Sequence, residues 1–226
     1  MKEKIDHIIE EIEKNLEFLQ ELGIDSIAKP DYNASGNSSQ KQALISLEKE
    51  IKDCRECPLA QSRTKAVPGE GDIHTDLMFV GEGPGSEEDK QGRPFVGRAG
   101  KLLTRIIKAM TFDRRDVYIT NVVKCRPPEN RNPRNEEIQT CEKYLLKQIE
   151  LISPKVIVTL GNVPTKYFLK ESRGITALRG QFSSFHEIRI MPTFHPSYLV
   201  RNQGDKSLKK MVWQDMQKVM AVLGKK

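Results

Sequence analysis

Residues 77–97 read LMFVGEGPGSEEDKQGRPFVG, a short apolar run that breaks into a glycine-rich loop. Leu77 to Val80 include no polar residue, the pattern of a strand buried on both faces, and the glycines end it at once. Outward from this stretch the same alternation repeats. A helix is expected from about Gly100 to Met110, then a strand Val117-Tyr118-Ile119-Thr120 and a helix from Glu136 to about Glu150. Val156 to Leu160 is a third apolar run, with a helix around Val163 to Leu169. Ile188 to Met191 is a fourth, and Ser207 to Leu223 a closing helix. Strands alternating with helices predict an α/β protein, a three-layer α/β/α sandwich around a mainly parallel central sheet. In such sheets ligands bind beyond the carboxyl ends of the strands. Three unusual stretches fall at those ends: Gly81 to Gly85, Asn121, and His195-Pro196-Ser197. Their convergence predicts one active site.

Upstream, Ile5, Ile8, Ile9, Ile12, Leu16 and Leu19 recur at helical spacing among Glu and Lys, which predicts an amphipathic helical appendage over residues 1–27. Residues 28–40 (AKPDYNASGNSSQ) are rich in Gly, Ser, Asn and Pro and read as a flexible linker. The folded domain is then expected over 41–226, opening with a short helix from Gln42 through Ile51. A chain of 226 residues can bury one good core beside such an appendage. With 37% hydrophobic and 30% charged residues, it is globular rather than disordered. The net charge of +6 favours a polyanionic partner only weakly. No segment reaches the roughly 18 to 20 apolar residues of a membrane helix. The start, Met1-Lys2-Glu3-Lys4-Ile5-Asp6, lacks the apolar core of a secretory signal. A cytoplasmic protein with no membrane partner is expected, and there four cysteines are metal ligands or reduced core residues rather than disulfides.

Gly81-Glu82-Gly83-Pro84-Gly85 follows a strand as a phosphate loop would, but Ser86 breaks the dinucleotide fingerprint and the P-loop pattern is missing too. A plain turn is one reading. The other rests on Glu82, Glu87, Glu88 and Asp89, which could orient a water or a sugar beside backbone that a ligand can approach closely. Cys54 and Cys57 form C-x2-C, while Cys125 and Cys141 have fifteen residues between them. Four thiolates suit an iron–sulfur cluster or zinc, and buried unliganded cysteines are the third alternative. Phe95, between Gly92, Pro94 and Gly97, is a core residue or a stacking platform. His195 follows a strand and precedes Pro196, which aims the imidazole from a fixed turn. His7, His74 and His186 have no comparable setting.

Taken in order, CRECPL, GEGPGSEED, GRPFVGRAG, NVVKCRPPENRNP and HPSYL resemble the family 4, or iron–sulfur, uracil-DNA glycosylases over roughly Leu47 to Leu223. The resemblance implies that Cys54, Cys57, Cys125 and Cys141 bind a [4Fe–4S] cluster. It implies a glycosylase that hydrolyses the N-glycosidic bond of deoxyuridine in DNA and so begins base excision repair. Asn121 would read uracil, Phe95 would stack on it, and His195 would act on the carbonyl that gains charge. Where the wider superfamily often carries a water-activating Asp, this chain has Gly83, which leaves Glu82 as first choice for that task. Where some relatives set a Tyr against the thymine methyl, it has Gly85, so thymine must be excluded from elsewhere, with Glu88 the candidate. Ser197 joins these as a substrate-binding candidate, Leu199 as a wedge into the gap the base leaves, and Arg126, Arg131, Arg134 and Arg201 as phosphate contacts. A covalently trapping relative would carry a second histidine after HPS, and Leu199 to Gln203 contains none. The rival from another class is a non-catalytic iron–sulfur DNA-binding accessory module, which would need the cluster and basic surface but not Asn121 or His195. A replication clamp and a second copy of the chain are the candidate partners of the amino-terminal helix.

Overall fold

Every one of the five residues Leu77–Gly81 is buried in a strand, and the same holds for Val156–Leu160. Such strands need helices on both faces, and the chain supplies them. The computed structural model describes residues 34–225. In order these form α1 (Ala34–Asp53), α2 (Leu59–Ser62), β1 (Glu70–Gly71), β2 (Leu77–Gly81), α3 (Ser86–Gln91), α4 (Arg98–Ala109), β3 (Tyr118–Asn121), α5 (Asn135–Ile152), β4 (Val156–Leu160), α6 (Asn162–Leu169), α7 (Ile175–Leu178), β5 (Ser183–Phe185), β6 (Ile188–Thr193), α8 (Pro196–Arg201) and α9 (Lys206–Val222).

The sheet order is β1-β3-β2-β4-β6-β5. The four inner strands are mutually parallel, and the two edge strands run antiparallel to their neighbours. Alternation sends successive strand residues to opposite layers. Met78, Val80, Ile157 and Ile190 pack with Leu44, Ile51, Leu145 and Ile149 from α1 and α5. Leu77, Phe79, Val158 and Met191 pack with Leu103, Ile107, Val212 and Met216 from α4 and α9. This is the expected three-layer sandwich. The strand order reverses at β2, whose Gly81 lies opposite Asn121 of β3, while Leu160 of β4 lies opposite Thr193 of β6. The carboxyl ends of all four parallel strands therefore border one crevice.

Two points differ from expectation. The edge strands β1 and β5 are two and three residues long, too short to show a period in the sequence. Helix α1 begins at Ala34, so residues 34–40 of the expected linker are helical. Their Ser, Gly and Asn content is overridden because Leu44, Leu47 and Ile51 anchor the same helix to the core, and packing outweighs propensity. Gln40 Nε2 also donates to the Leu151 carbonyl. The amphipathic appendage at 1–27 and residues 28–33 lie outside the described residues. Among the described residues no helix is long and apolar enough to cross a membrane.

Candidate active site and cysteine cavity

Asn121 ends β3 with its side chain turned into the crevice. It is 1% exposed, and its Oδ1 is the buried side-chain polar atom left without a hydrogen-bond partner among the described residues. A buried acceptor left unpaired costs about 1–3 kcal/mol, so such an atom points to a ligand. Gly81 faces it across the parallel pair. A Cβ there would collide with Asn121 Oδ1 and would stand 2.5 Å from Phe95 Cζ. Glycine thus lets the amide and the aromatic ring close in on the end of β2.

Phe95 is buried and holds a left-handed backbone (φ 49°), strained for an aromatic residue. Three contacts impose it. Glu88 Oε1 accepts from the amides of Val96 and Gly97, each at 2.9 Å, where α4 begins. Gly100 packs so tightly under the turn that a Cβ would lie 2.0 Å from the Phe95 carbonyl carbon. Arg114 donates to the Pro94 carbonyl at 2.5 Å and to Glu70 at 2.8 Å. Burial raises the Glu70 pKa, but hydrogen bonds from Arg93 and Arg114 outweigh it and hold the carboxyl below its ordinary range. Glu88, the candidate for excluding thymine, uses its Oε1 to bind this backbone and so supports the Phe95 loop.

His195 stands between β6 and α8, its ring 5.7 Å from the Phe95 ring. The Ser197 amide donates to His195 Nδ1 at 3.1 Å, and the Ser197 hydroxyl lies 2.7 Å from the same nitrogen. An amide cannot accept, so Nδ1 is the acceptor and the neutral ring carries its proton on Nε2. Burial first, and the charge of Arg201 second, push the His195 pKa down to about 4. The imidazole is therefore an uncharged donor at neutral pH. Ser197, a substrate-binding candidate, orients the histidine through both its amide and its hydroxyl. The wedge expected of Leu199 is corrected: Pro196 and Leu199 share the buried face of α8, Leu199 is 3% exposed in the core, and Tyr198 and Arg201 are the exposed side chains.

Glu82 follows β2 at the mouth of the crevice, and partial burial raises its carboxyl pKa. At Gly83 a Cβ would stand 2.8 Å from Val123 Cγ2, and at Gly85 it would meet Glu88 Oε2 at 2.8 Å. The chain holds this loop beside β3 through Val122 N to the Gly81 carbonyl (2.9 Å) and Val123 N to the Glu82 carbonyl (3.1 Å). Among the phosphate candidates, Arg131 is committed to Glu137 through two contacts of 2.9 and 2.6 Å, and Arg126 donates to Asn130. Arg201 is exposed beside His195 and reaches Ser197 at 3.4 Å.

All four cysteines line one small cavity, together with Ile51, Arg63, Lys124 and Tyr144. Among the described residues, no three His, Cys, Asp or Glu side chains close tightly enough to hold a single metal ion. The sulfurs nonetheless receive donors suited to thiolates. Arg63 Nη1 lies 2.8 Å from Cys125 Sγ and its Nη2 donates to the carbonyls of Lys52 and Cys54, while Lys124 N donates to Cys141 Sγ at 3.3 Å. As free thiols Cys125 and Cys141 are pushed up by burial, Cys141 to about 11, so they would ionise only against a cation. Four cysteines on one cavity, with hydrogen bonds donated to two of the sulfurs, form a donor set that fits a thiolate-bound metal group.

Lys124 was not anticipated. It is 1% exposed, and its ammonium donates at 2.7 Å to Thr120 Oγ1, to the Asn121 carbonyl and to Gln148 Oε1. Burial lowers its pKa to about 7, against the pull of Cys141 and Cys125. A lysine flanked by Val122, Val123 and Cys125 was the available signal.

The family model described as the uracil DNA glycosylase superfamily matches residues 68–217. A type-4 uracil-DNA glycosylase of Thermotoga maritima is 46% identical over 189 residues, covering 83% of this chain and 98% of that protein. Those of Sulfurisphaera tokodaii and Saccharolobus solfataricus are 46% and 43% identical, each over 78% of this chain and 83% and 85% of their own length. With the buried Asn121 amide, the uncharged histidine and the cysteine cavity in place on this sheet, the chain belongs to the uracil-DNA glycosylase superfamily and, within it, to the type-4 uracil-DNA glycosylases.

Proposed function

We propose that this protein excises uracil from DNA by hydrolysing the bond between the base and its deoxyribose, the first step of base excision repair. The observation that carries the reading is the unpartnered Asn121 Oδ1, buried beside Phe95 and Gly81. Uracil offers an N3–H to that oxygen and an O4 to the amide nitrogen. The nucleotide must leave the stack to arrive there, at a cost of a few kcal/mol. Phe95 meets the flipped ring with its face. As the glycosidic bond lengthens, the base gains negative charge, and His195 Nε2–H is an uncharged donor for it. Glu82, at the same strand end, orients water and stabilises the positive sugar. The test is direct: product analysis on a uracil-containing oligonucleotide, with abasic product expected. Binding without product would favour an accessory module and overturn the reading.

The four cysteines are proposed to hold a [4Fe–4S] cluster. Bound there, the group would add iron–sulfur bonds that join the segment of Cys54 and Cys57 to the loop of Cys125 and to helix α5 at Cys141. Its support is the shared cavity and the donors on Cys125 and Cys141. Anaerobically purified protein is expected to be brown, with close to four irons per chain. A colourless preparation with stoichiometric zinc would sink this half of the reading.

A further inference from the structure

Lys124 is a fully buried ammonium whose three hydrogen-bond acceptors are all neutral oxygens. Buried charges require an opposing charge. Lys124 lines the cavity that holds all four cysteines, and its own amide donates to Cys141 Sγ at 3.3 Å, so thiolates bound to a metal group there would stand beside it. Its ammonium reaches the carbonyl of Asn121, the last residue of β3. The peptide between Asn121 and Val122 is planar, so fixing both its polar groups fixes the backbone that aims the Asn121 amide. Val122 N donates to the Gly81 carbonyl at 2.9 Å, and the Asn121 carbonyl accepts from Lys124 Nζ at 2.7 Å. Gln148 braces the ammonium in turn, donating to the Pro68 carbonyl at 2.8 Å and reaching the Tyr118 hydroxyl at 3.1 Å.

We propose that Lys124 is a positioning residue shared by both sites: it pins the Asn121 peptide for base recognition and supplies the countercharge of the cysteine-bound metal group. Metal loading and base excision are then coupled through one side chain. The inference rests on the glycosylase and cluster readings above.

The experiment compares parent and Lys124→Met holoproteins, purified anaerobically, by iron content, midpoint potential, single-turnover excision and affinity for a uracil oligonucleotide. A cation near a cluster favours its reduced form, so the variant's potential should move to more negative values. Loss of a charge-assisted hydrogen bond of this kind should slow excision roughly tenfold to hundredfold. Affinity for DNA should hold, because phosphate contacts dominate it. A parental excision rate overturns the proposal whatever the potential does, and a slow variant with a parental potential overturns it equally. A parent protein without iron defeats the cluster reading itself and the coupling with it. Should the Met variant not fold, Lys124→Gln, which keeps a polar end in the network, is read by the same measurements and the same criteria.

Discussion

At the scale of the residue, catalysis depends on which groups carry protons. His195 accepts a hydrogen bond at Nδ1 and sits near pKa 4, so it does not titrate in the working range. Glu82, by contrast, is raised above the ordinary 4.5 by burial. Any acid limb in the single-turnover pH profile should therefore belong to Glu82 and vanish in Glu82→Gln, and no inflection should appear near 6.5. His195→Ala should keep DNA binding and lose roughly 10²–10³ in rate, the cost of one donor aimed at developing charge. An inflection near 6.5 that His195→Ala abolishes would show a charged imidazole instead. The same depressed pKa bears on stability. Below pH 6.5 the unfolded histidine binds a proton that the folded one refuses, so its contribution to stability falls as pH drops from about 6.5 toward about 4. Asn121, Phe95 and His195 were legible because each stands at a strand end or in a glycine-rich turn. Lys124 and the backbone-binding role of Glu88 were not, since both depend on which distant backbone atoms come within reach.

At the scale of the element, the loop before α4 is held by a carboxylate. Glu88 caps Val96 and Gly97 at the start of a helix whose N-cap, Gly97, has no side chain to do so. Removing a cap typically costs about 0.5–2 kcal/mol. Glu88→Ala should lower the thermal midpoint accordingly and slow excision through a loosened Phe95. Thymine should stay as poor a substrate as in the parent. A variant that began to excise thymine would place Glu88 at the base. The four parallel strands could be read from their apolar runs, but α8 shows what a pattern does not fix. Pro196 and Leu199 fall three residues apart on the buried face, so the wedge expected of Leu199 is enclosed and Tyr198 faces outward. The turn geometry that decides this rotation is a tertiary outcome.

At the scale of the whole molecule, every group assigned to either site lies between Cys54 and Arg201. Deleting residues 1–33, just before α1 begins, should leave excision from short oligonucleotides at the parental rate in single-turnover assays. A folded truncation that lost activity would show that the amino-terminal segment completes the site. Cutting after residue 40 is a harsher test, because it removes the first turns of α1 and the Gln40 contact to Leu151. The fold class was legible throughout, whereas the start of the domain was not. Residues 34–40 have a linker's composition and gain their helix from Leu44, Leu47 and Ile51 further along.

The orphaned Asn121 oxygen has one more consequence, for what happens after the bond is cut. Free uracil keeps the N3–H that satisfied it, so the site without a base, its acceptor unpaired, is the least comfortable state. The base should linger, and turnover should be paced by its departure more than by hydrolysis. Steady-state rates should lie below single-turnover rates, and added uracil should inhibit competitively, whereas N3-methyluracil, which lacks that donor, should not.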